Sequence, residues 1–208
     1  PDAVDDRTVF AIGSNSKFFT AVAAGMLADD GKLSLDDKVT KHLPWFQLYD
    51  PWVTREFTLR DAMSHRSGLG RRGDGLWYGT PYSRDEIIRR VRYLAPNTSF
   101  RTEFGYQNIM FLTAGQALAA AAGTSWDDLM RDRIFQPLGM TSSNTSVRSV
   151  STLSRSLITS LSPPIANHRP CGWISSPHTV PILSFTNVCL RVLISPSICQ
   201  RNTAPLSD

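Results

Sequence analysis

The chain is 208 residues long, 41% hydrophobic and 19% charged, which excludes an intrinsically disordered protein and fits one ordinary domain with a hydrophobic core. Its net charge of +4 comes from the C-terminal part: 16 basic and 17 acidic residues precede Arg133, whereas six arginines and one acid, Asp208, lie from that residue onward. The basic character is not a patch with interleaved aromatic residues, so nucleic-acid binding is not expected.

The first 135 residues are predicted to be mostly helical, because capping residues, apolar composition and glycine stops recur along them. The predicted helices are 14–30 (Gly31 as stop), 36–42 (Asp36 as cap), 58–64 (Thr58 as cap), 83–94 (Ser83 as cap), 107–122 (Gly123 as stop) and 125–135 (Ser125 as cap). Residues 44–46 begin an aromatic loop, and the Gly- and Arg-rich segment 67–80 predicts another loop. No alternating strand pattern precedes Val147.

The composition changes after Val147. The following residues contain no acid before Asp208, are rich in Ser, Pro and Arg, and hold all three cysteines, which we interpret as incidental thiols. Prolines interrupt each candidate element, although 179–185 and 188–194 have strand-like content. We therefore predict one unit over 1–147 and an unrelated tail over 148–208. The tail is either the product of a shifted reading frame or a divergent, loop-rich segment.

A candidate catalytic pair lies at the start of the first helix. Ser14 and Lys17 are three residues apart, so a helix places both side chains on one face. A serine hydroxyl needs an adjacent base to act as a nucleophile, and a lysine in an apolar helix can supply one. By itself, Ser-x-x-Lys more often marks two surface residues of a helix.

A second motif, Tyr-x-Asn, lies at the start of the apolar helix predicted over 107–122. The phenol of Tyr106 can relay a proton, and the amide of Asn108 can donate and accept hydrogen bonds. Without the first motif, a core phenol would be the simpler interpretation of Tyr106.

The two motifs, in this order, resemble those of the serine β-lactamase and penicillin-binding protein superfamily, in its branch of class C β-lactamases, D-alanyl-D-alanine carboxypeptidases and esterases. Three segments between and after the motifs also resemble sequences typical of that family: 31–37, 62–69 and 134–140. The resemblance runs from about Val9 to about Val147.

The resemblance implies an α+β, β-lactamase/transpeptidase-like fold, in which a helical domain packs on an antiparallel sheet. We expect the helical domain to be present, most of the sheet to be missing, and the chain to be mostly α and truncated at both ends. It also implies that Ser14 forms an acyl-enzyme, that Lys17 and Tyr106 share the acid and base work in an undecided order, and that Asn108 orients Lys17 and binds substrate.

The expected substrate is a small-molecule ester, β-lactam or D-alanyl peptide, with an esterase- or carboxypeptidase-like activity favoured. No cofactor is implied, and the scattered histidines predict no metal site. Residues 1–6 lack the pattern of a signal peptide, and no stretch is long and apolar enough to span a membrane. Family members are often periplasmic or secreted and some are cytoplasmic, so the compartment and the oligomeric state stay open.

One family motif is absent from the sequence. In relatives, a Lys or His, a small residue and a Gly lie on a strand that binds the substrate carboxylate and supplies one oxyanion N–H. Here no Lys follows Lys41, and the segments at His168 and His178 lack the Gly. Because one lost oxyanion donor costs about 100- to 1000-fold in rate, we expect impaired activity. The alternative is a non-catalytic family member or a helical fragment that binds a partner.

Several other residues receive structural interpretations. Ser16 is expected to be a packing neighbour of the site rather than a rival nucleophile, and His65 to satisfy nearby backbone at a helix end. Arg71 and Arg72 are interpreted as solvated. Trp77 and Tyr78 line the cleft or pack in the core.

Overall fold

The computed structural model describes residues 9–74, 80–146 and 189–191. Helices dominate this part of the chain, and two short strands pair beside them. The elements are β1 (Val9–Ala11), α1 (Ser16–Asp29), α2 (Val39–His42), α3 (Pro51–Glu56), α4 (Leu59–Met63), α5 (Arg84–Arg90), α6 (Asn108–Ala122), α7 (Trp126–Met130) and β2 (Cys189–Arg191). Single 3-10 turns at Gly13–Asn15 and Val91–Tyr93 adjoin α1 and α5, and a π-helical turn at Arg131–Phe135 extends α7.

The central element is α6, which contacts α1, α2, α4, α5 and α7. Its residues include the fully buried Ile109, Met110 and Leu118. Burying an aliphatic side chain of this size stabilises the fold by about 1.5–3 kcal/mol relative to leaving it exposed. The first residues of α1 and α6 are therefore placed next to each other by a shared hydrophobic core.

Most of the predicted helix boundaries are confirmed. Thr58 caps α4 with a full capping box, because its hydroxyl accepts from the Asp61 N–H at 3.2 Å and the Asp61 carboxylate accepts from the Thr58 N–H at 3.0 Å. Ser83 and Ser125 likewise cap α5 and α7. Gly123 ends α6 in the left-handed conformation, with a φ of 71°.

Two predictions about helices are wrong. Asp36 does not cap α2, which begins at Val39; the Asp36 carboxylate instead pairs with the Arg60 guanidinium at 2.7 Å. Helix α3 lies in the stretch predicted as loop. Asp50 caps it by accepting from the N–H groups of its first turn, and Pro51 occupies its first position. This pattern of Asp followed by Pro is a helix start that the sequence does contain.

A short strand, β1, precedes Val147, where the sequence carries no alternating pattern. β1 pairs antiparallel with β2, and Phe10 lies opposite Leu190. β2 falls within the segment 188–194, which has strand-like content in the sequence. The fold class is confirmed as β-lactamase/transpeptidase-like, with helices as the main component of the described residues.

None of the helices in the described part of the chain is both long enough and apolar enough to cross a membrane.

Candidate active site

Ser14 and Lys17 lie at the entrance of α1. Ser14 is half-buried in the 3-10 turn that leads into the helix, and Lys17 is the second residue of α1. The side-chain nitrogen of Lys17, Nζ, donates to Ser14 Oγ at 3.1 Å. The three-residue spacing therefore brings the amine to the hydroxyl, as the sequence predicts.

Tyr106 and Asn108 approach the same point from the start of α6. Tyr106 Oη lies 2.6 Å from Ser14 Oγ, and Lys17 Nζ donates to Asn108 Oδ1 at 2.6 Å. All four residues selected from the sequence thus form one hydrogen-bonded cluster. Their catalytic roles stay predictions.

Lys17 is half-buried between aromatic rings. Its Nζ lies 4.9 Å from the centroid of the Tyr106 ring and 5.5 Å from that of Phe111. Ring faces attract a cation, so these contacts and the two hydrogen bonds hold the amine on the side of Ser14.

His65 supports Tyr106 from one face. Its ring stacks on the phenol ring at a centroid distance of 4.5 Å, and its Nδ1 accepts the Gln107 N–H at 3.1 Å. Burial, with an added effect of the Lys17 charge, lowers the pKa of His65 to about 4. A neutral His65 that satisfies backbone matches its predicted structural role, although its contact with Tyr106 was not foreseen.

Arg71 makes a contact that the sequence did not predict. Its side chain is exposed, as expected, but the guanidinium carbon lies 5.0 Å from the centroid of the Tyr106 ring. Tyr106 is therefore in contact with a second cation besides Lys17.

Asp74 is the buried carboxylate that sequence reasoning missed. It is 5% exposed and accepts three hydrogen bonds from the start of α6. Burial raises its pKa, and the bonds from Asn108 and Ile109 and the charge of Lys17 partly offset this. A single Asp in a Gly- and Arg-rich loop carries no signal that links it to a helix 34 residues later.

The remaining candidates are accounted for as follows. Ser16 is buried and its hydroxyl donates to the Gly13 carbonyl at 2.7 Å, which agrees with its interpretation as a neighbour of the site. Trp77 and Tyr78, considered for the cleft, lie outside the described residues. Within the described residues, no group of three or more His, Cys, Asp and Glu side chains could hold a metal ion.

Comparison with known proteins identifies the family. The model of the Beta-lactamase family matches residues 1–154. The chain is 35% identical over 146 residues to penicillin-binding protein 4 of Amycolatopsis lactamdurans, and 34% identical over 155 residues to an unguisins hydrolase of Aspergillus campestris. These alignments cover 69% and 67% of the chain, and 38% and 28% of the two relatives.

A solved structure shares the fold. The D-amino acid amidase from Ochrobactrum anthropi SV3, in complex with L-phenylalanine amide, aligns with a TM-score of 0.61 and 25% identity. The alignment covers 73% of the chain and 43% of the amidase, so the chain spans less than half the length of each of these three proteins. The family match, the two relatives and the shared fold together show that the chain belongs to the β-lactamase family, in the superfamily of penicillin-binding proteins and D-amino acid amidases.

Proposed function

We propose that this chain carries the nucleophile and the proton-transfer groups of a serine hydrolase that acts through an acyl-enzyme. The substrate is an ester, a β-lactam or a D-alanyl peptide, and an esterase- or carboxypeptidase-like reaction is favoured. One observation carries the proposal: Ser14 Oγ lies within hydrogen-bond distance of both Tyr106 Oη, at 2.6 Å, and Lys17 Nζ, at 3.1 Å.

Acylation begins when Ser14 Oγ attacks the carbonyl carbon of the substrate. The hydroxyl proton passes to Lys17 or Tyr106, both of which contact Oγ. The new ester bond forms as the bond to the leaving amine or alcohol breaks, and the proton is delivered to that leaving group. Either group can accept the proton, because Lys17 Nζ and Tyr106 Oη both lie within hydrogen-bond distance of Ser14 Oγ.

Deacylation reverses the roles. Water attacks the ester carbon, the proton it loses is accepted by Lys17 or Tyr106, and Ser14 Oγ leaves as the hydroxyl once it is protonated again. Asn108 accepts a hydrogen bond from Lys17 at 2.6 Å, which directs the amine toward Ser14.

The names of the similar proteins support an acyl-transfer reaction. They include a penicillin-binding protein, a hydrolase of unguisins and a D-amino acid amidase. The amidase by its name cleaves an amide, which agrees with attack of a serine on a carbonyl carbon.

A covalent probe tests the proposal directly. The purified chain is incubated with a fluorophosphonate, and the site of the adduct is identified by mass spectrometry. We expect one adduct, on Ser14, which the Ser14→Ala variant loses and the matched Ser16→Ala variant keeps.

A cooperatively folded chain that forms no adduct would contradict the proposal. That result would favour the alternative, a non-catalytic member of the family that uses the same helical scaffold to bind a partner.

A further inference from the structure

Both oxygens of the Asp74 carboxylate accept hydrogen bonds from the first residues of α6. Oδ1 accepts the backbone N–H groups of Asn108 at 2.6 Å and Ile109 at 3.3 Å, while Oδ2 accepts from the side-chain amide, Nδ2, of Asn108 at 2.7 Å. Asp74, which lies in a loop 34 residues earlier in the chain, therefore binds both the backbone and the side chain of Asn108.

The hydrogen bonds to Asp74 determine the orientation of the Asn108 side-chain amide. A carboxylate accepts hydrogen bonds and donates none, so the NH₂ group of Asn108 must face Asp74. The carbonyl oxygen, Oδ1, is then turned to Lys17, whose Nζ donates to it at 2.6 Å. The reverse orientation would place Oδ1 against the carboxylate and the NH₂ group against the lysine amine.

We infer that Asp74 is a positioning residue, which acts through the amide of Asn108 to hold Lys17 against Ser14. The inference rests on the proposed function of Ser14 and Lys17. Asp74 itself bonds to Asn108 and Ile109 and acts on Ser14 through two intermediate side chains.

Burial makes this arrangement depend on the hydrogen bonds. An unpaired carboxylate at 5% exposure is costly, and the three N–H donors together with the nearby Lys17 charge compensate part of that cost. The ionised carboxylate is the better acceptor of the bonds from Asn108, because neither of its oxygens then carries a proton that would face an N–H donor. The ionised form therefore carries the positioning.

A purely structural role, as an extra cap of α6, is the competing explanation. Gln107 already caps this helix with its own side chain, which accepts the Ile109 N–H at 3.1 Å. Asp74→Asn separates the two roles. The amide oxygen of the new side chain still accepts the backbone N–H groups, but its NH₂ group opposes the NH₂ group of Asn108 and forces that amide to turn.

The experiment exchanges the two side chains. The rate at which a fluorophosphonate acylates Ser14 is measured for the wild type, for Asp74→Asn, for Asn108→Asp and for the double variant, with thermal unfolding as the control for folding. We expect Asp74→Asn to lower the rate by about 10- to 100-fold, because the general base loses its position, with little change in the unfolding midpoint.

The double variant restores the pattern of donors and acceptors. An amide at position 74 donates to a carboxylate at position 108, whose second oxygen accepts from Lys17. We expect at least part of the rate to return, with the pH optimum moved upward because the carboxylate now lies beside the amine. Asn108→Asp alone sets two carboxylates against each other and should be the least stable variant.

The results separate two kinds of failure. If the wild type is acylated and Asp74→Asn is acylated equally fast, or if the double variant is no faster than the slower single variant, the positioning role is wrong. If the folded wild type is not acylated, the proposed function fails. In that case crystal structures of the wild type and Asp74→Asn decide the inference, which requires the bond between Lys17 and Asn108 to be lost in the variant.

Discussion

The phenol of Tyr106 is held by contacts on its ring and at its hydroxyl. His65 stacks on the ring at 4.5 Å, the Arg71 guanidinium lies 5.0 Å from the ring centroid, and Ser14 Oγ lies 2.6 Å from Oη. Because the ring contacts do not depend on the hydroxyl, the position of the ring and its proton-transfer function can be tested separately.

We expect Tyr106→Phe to slow acylation of Ser14 by about 100- to 10,000-fold, the usual effect of losing a general acid or base. The ring contacts stay, so thermal stability should change little. The matched control is Tyr93→Phe, since Tyr93 is 68% exposed and its hydroxyl bonds to Arg92. A wild-type rate for Tyr106→Phe, measured with the fluorophosphonate, would show that Lys17 alone serves as the base.

The residues of the cluster differ in how far the sequence reveals them. Ser14 and Lys17 lie three residues apart at the start of α1, where helical spacing translates directly into position. Tyr106 and Asn108 are recognised by their motif at the start of α6. Asp74 lies in a loop, where no periodicity connects a residue to its partner. Its role becomes visible once the loop and α6 are seen side by side.

At the level of elements, two loops meet at Gly68. Gly68 has a φ of 84°, and a Cβ atom built on it would lie 2.4 Å from the Thr98 carbonyl oxygen. The Gly68 carbonyl in turn accepts the N–H groups of Asn97 at 2.8 Å and Thr98 at 3.1 Å. These bonds connect the loop after His65 to the segment that leads to Tyr106.

We expect Gly68→Ala to destabilise the fold by about 1–3 kcal/mol or more, because it combines a strained backbone with a clash against another backbone. Gly25→Ala, in the interior of α1, is the control of opposite sign. Among the described residues, no atom outside the neighbouring backbone of α1 lies within 4 Å of the added Cβ, so the change should stabilise the fold by about 0.5–1 kcal/mol. Chemical denaturation of both variants checks the prediction, and equal effects of the same sign would contradict it.

The helices were largely predictable because their ends carry side chains that cap them locally. Thr58, Ser83 and Ser125 each bond to backbone three residues later, an interaction determined by the nearby sequence. Asp36 was misassigned because Arg60, distant in sequence, binds its carboxylate. β1 has three residues and is paired with β2, so its pairing depends on a contact that alternation within one segment cannot reveal.

Across the whole molecule, the stability of the fold should change with acid through groups that act in opposite directions. His65 is neutral when folded with a pKa of about 4, below its usual value of 6.5, so the unfolded chain binds a proton first as the pH falls. Stability should therefore decrease between pH 6.5 and 4, by up to about 3 kcal/mol from this residue. Asp74 opposes the loss, because burial raises its pKa and the folded chain takes up its proton earlier.

At lower pH two carboxylates contribute. Burial alone would raise the pKa of Asp37, but hydrogen bonds from Lys41, the Ser34 N–H and His42 outweigh it and lower the pKa to about 2. Burial of Asp61 is likewise outweighed by its bonds to Arg101 and Thr58, and its pKa is lowered. The stability from both groups is present above their unfolded pKa values and is lost as the pH falls through the folded ones.

Unfolding midpoints measured in urea from pH 7.5 to 4 test this response. His65→Gln keeps an acceptor for the Gln107 N–H but cannot be protonated, so its stability should decrease less over this range than that of the wild type. Parallel curves for the two proteins would contradict the assignment to His65.

The hydrogen bond between Ser14 and Tyr106 joins residues 92 positions apart, and this separation has a consequence for folding. Closing so long a loop is entropically costly and slow, whereas α1 and α6 form through local contacts. During refolding, helical circular dichroism should therefore recover before Ser14 becomes reactive. The time at which Ser14 becomes reactive would then report when this long-range contact has formed. It would measure the completion of the tertiary structure rather than the formation of the helices.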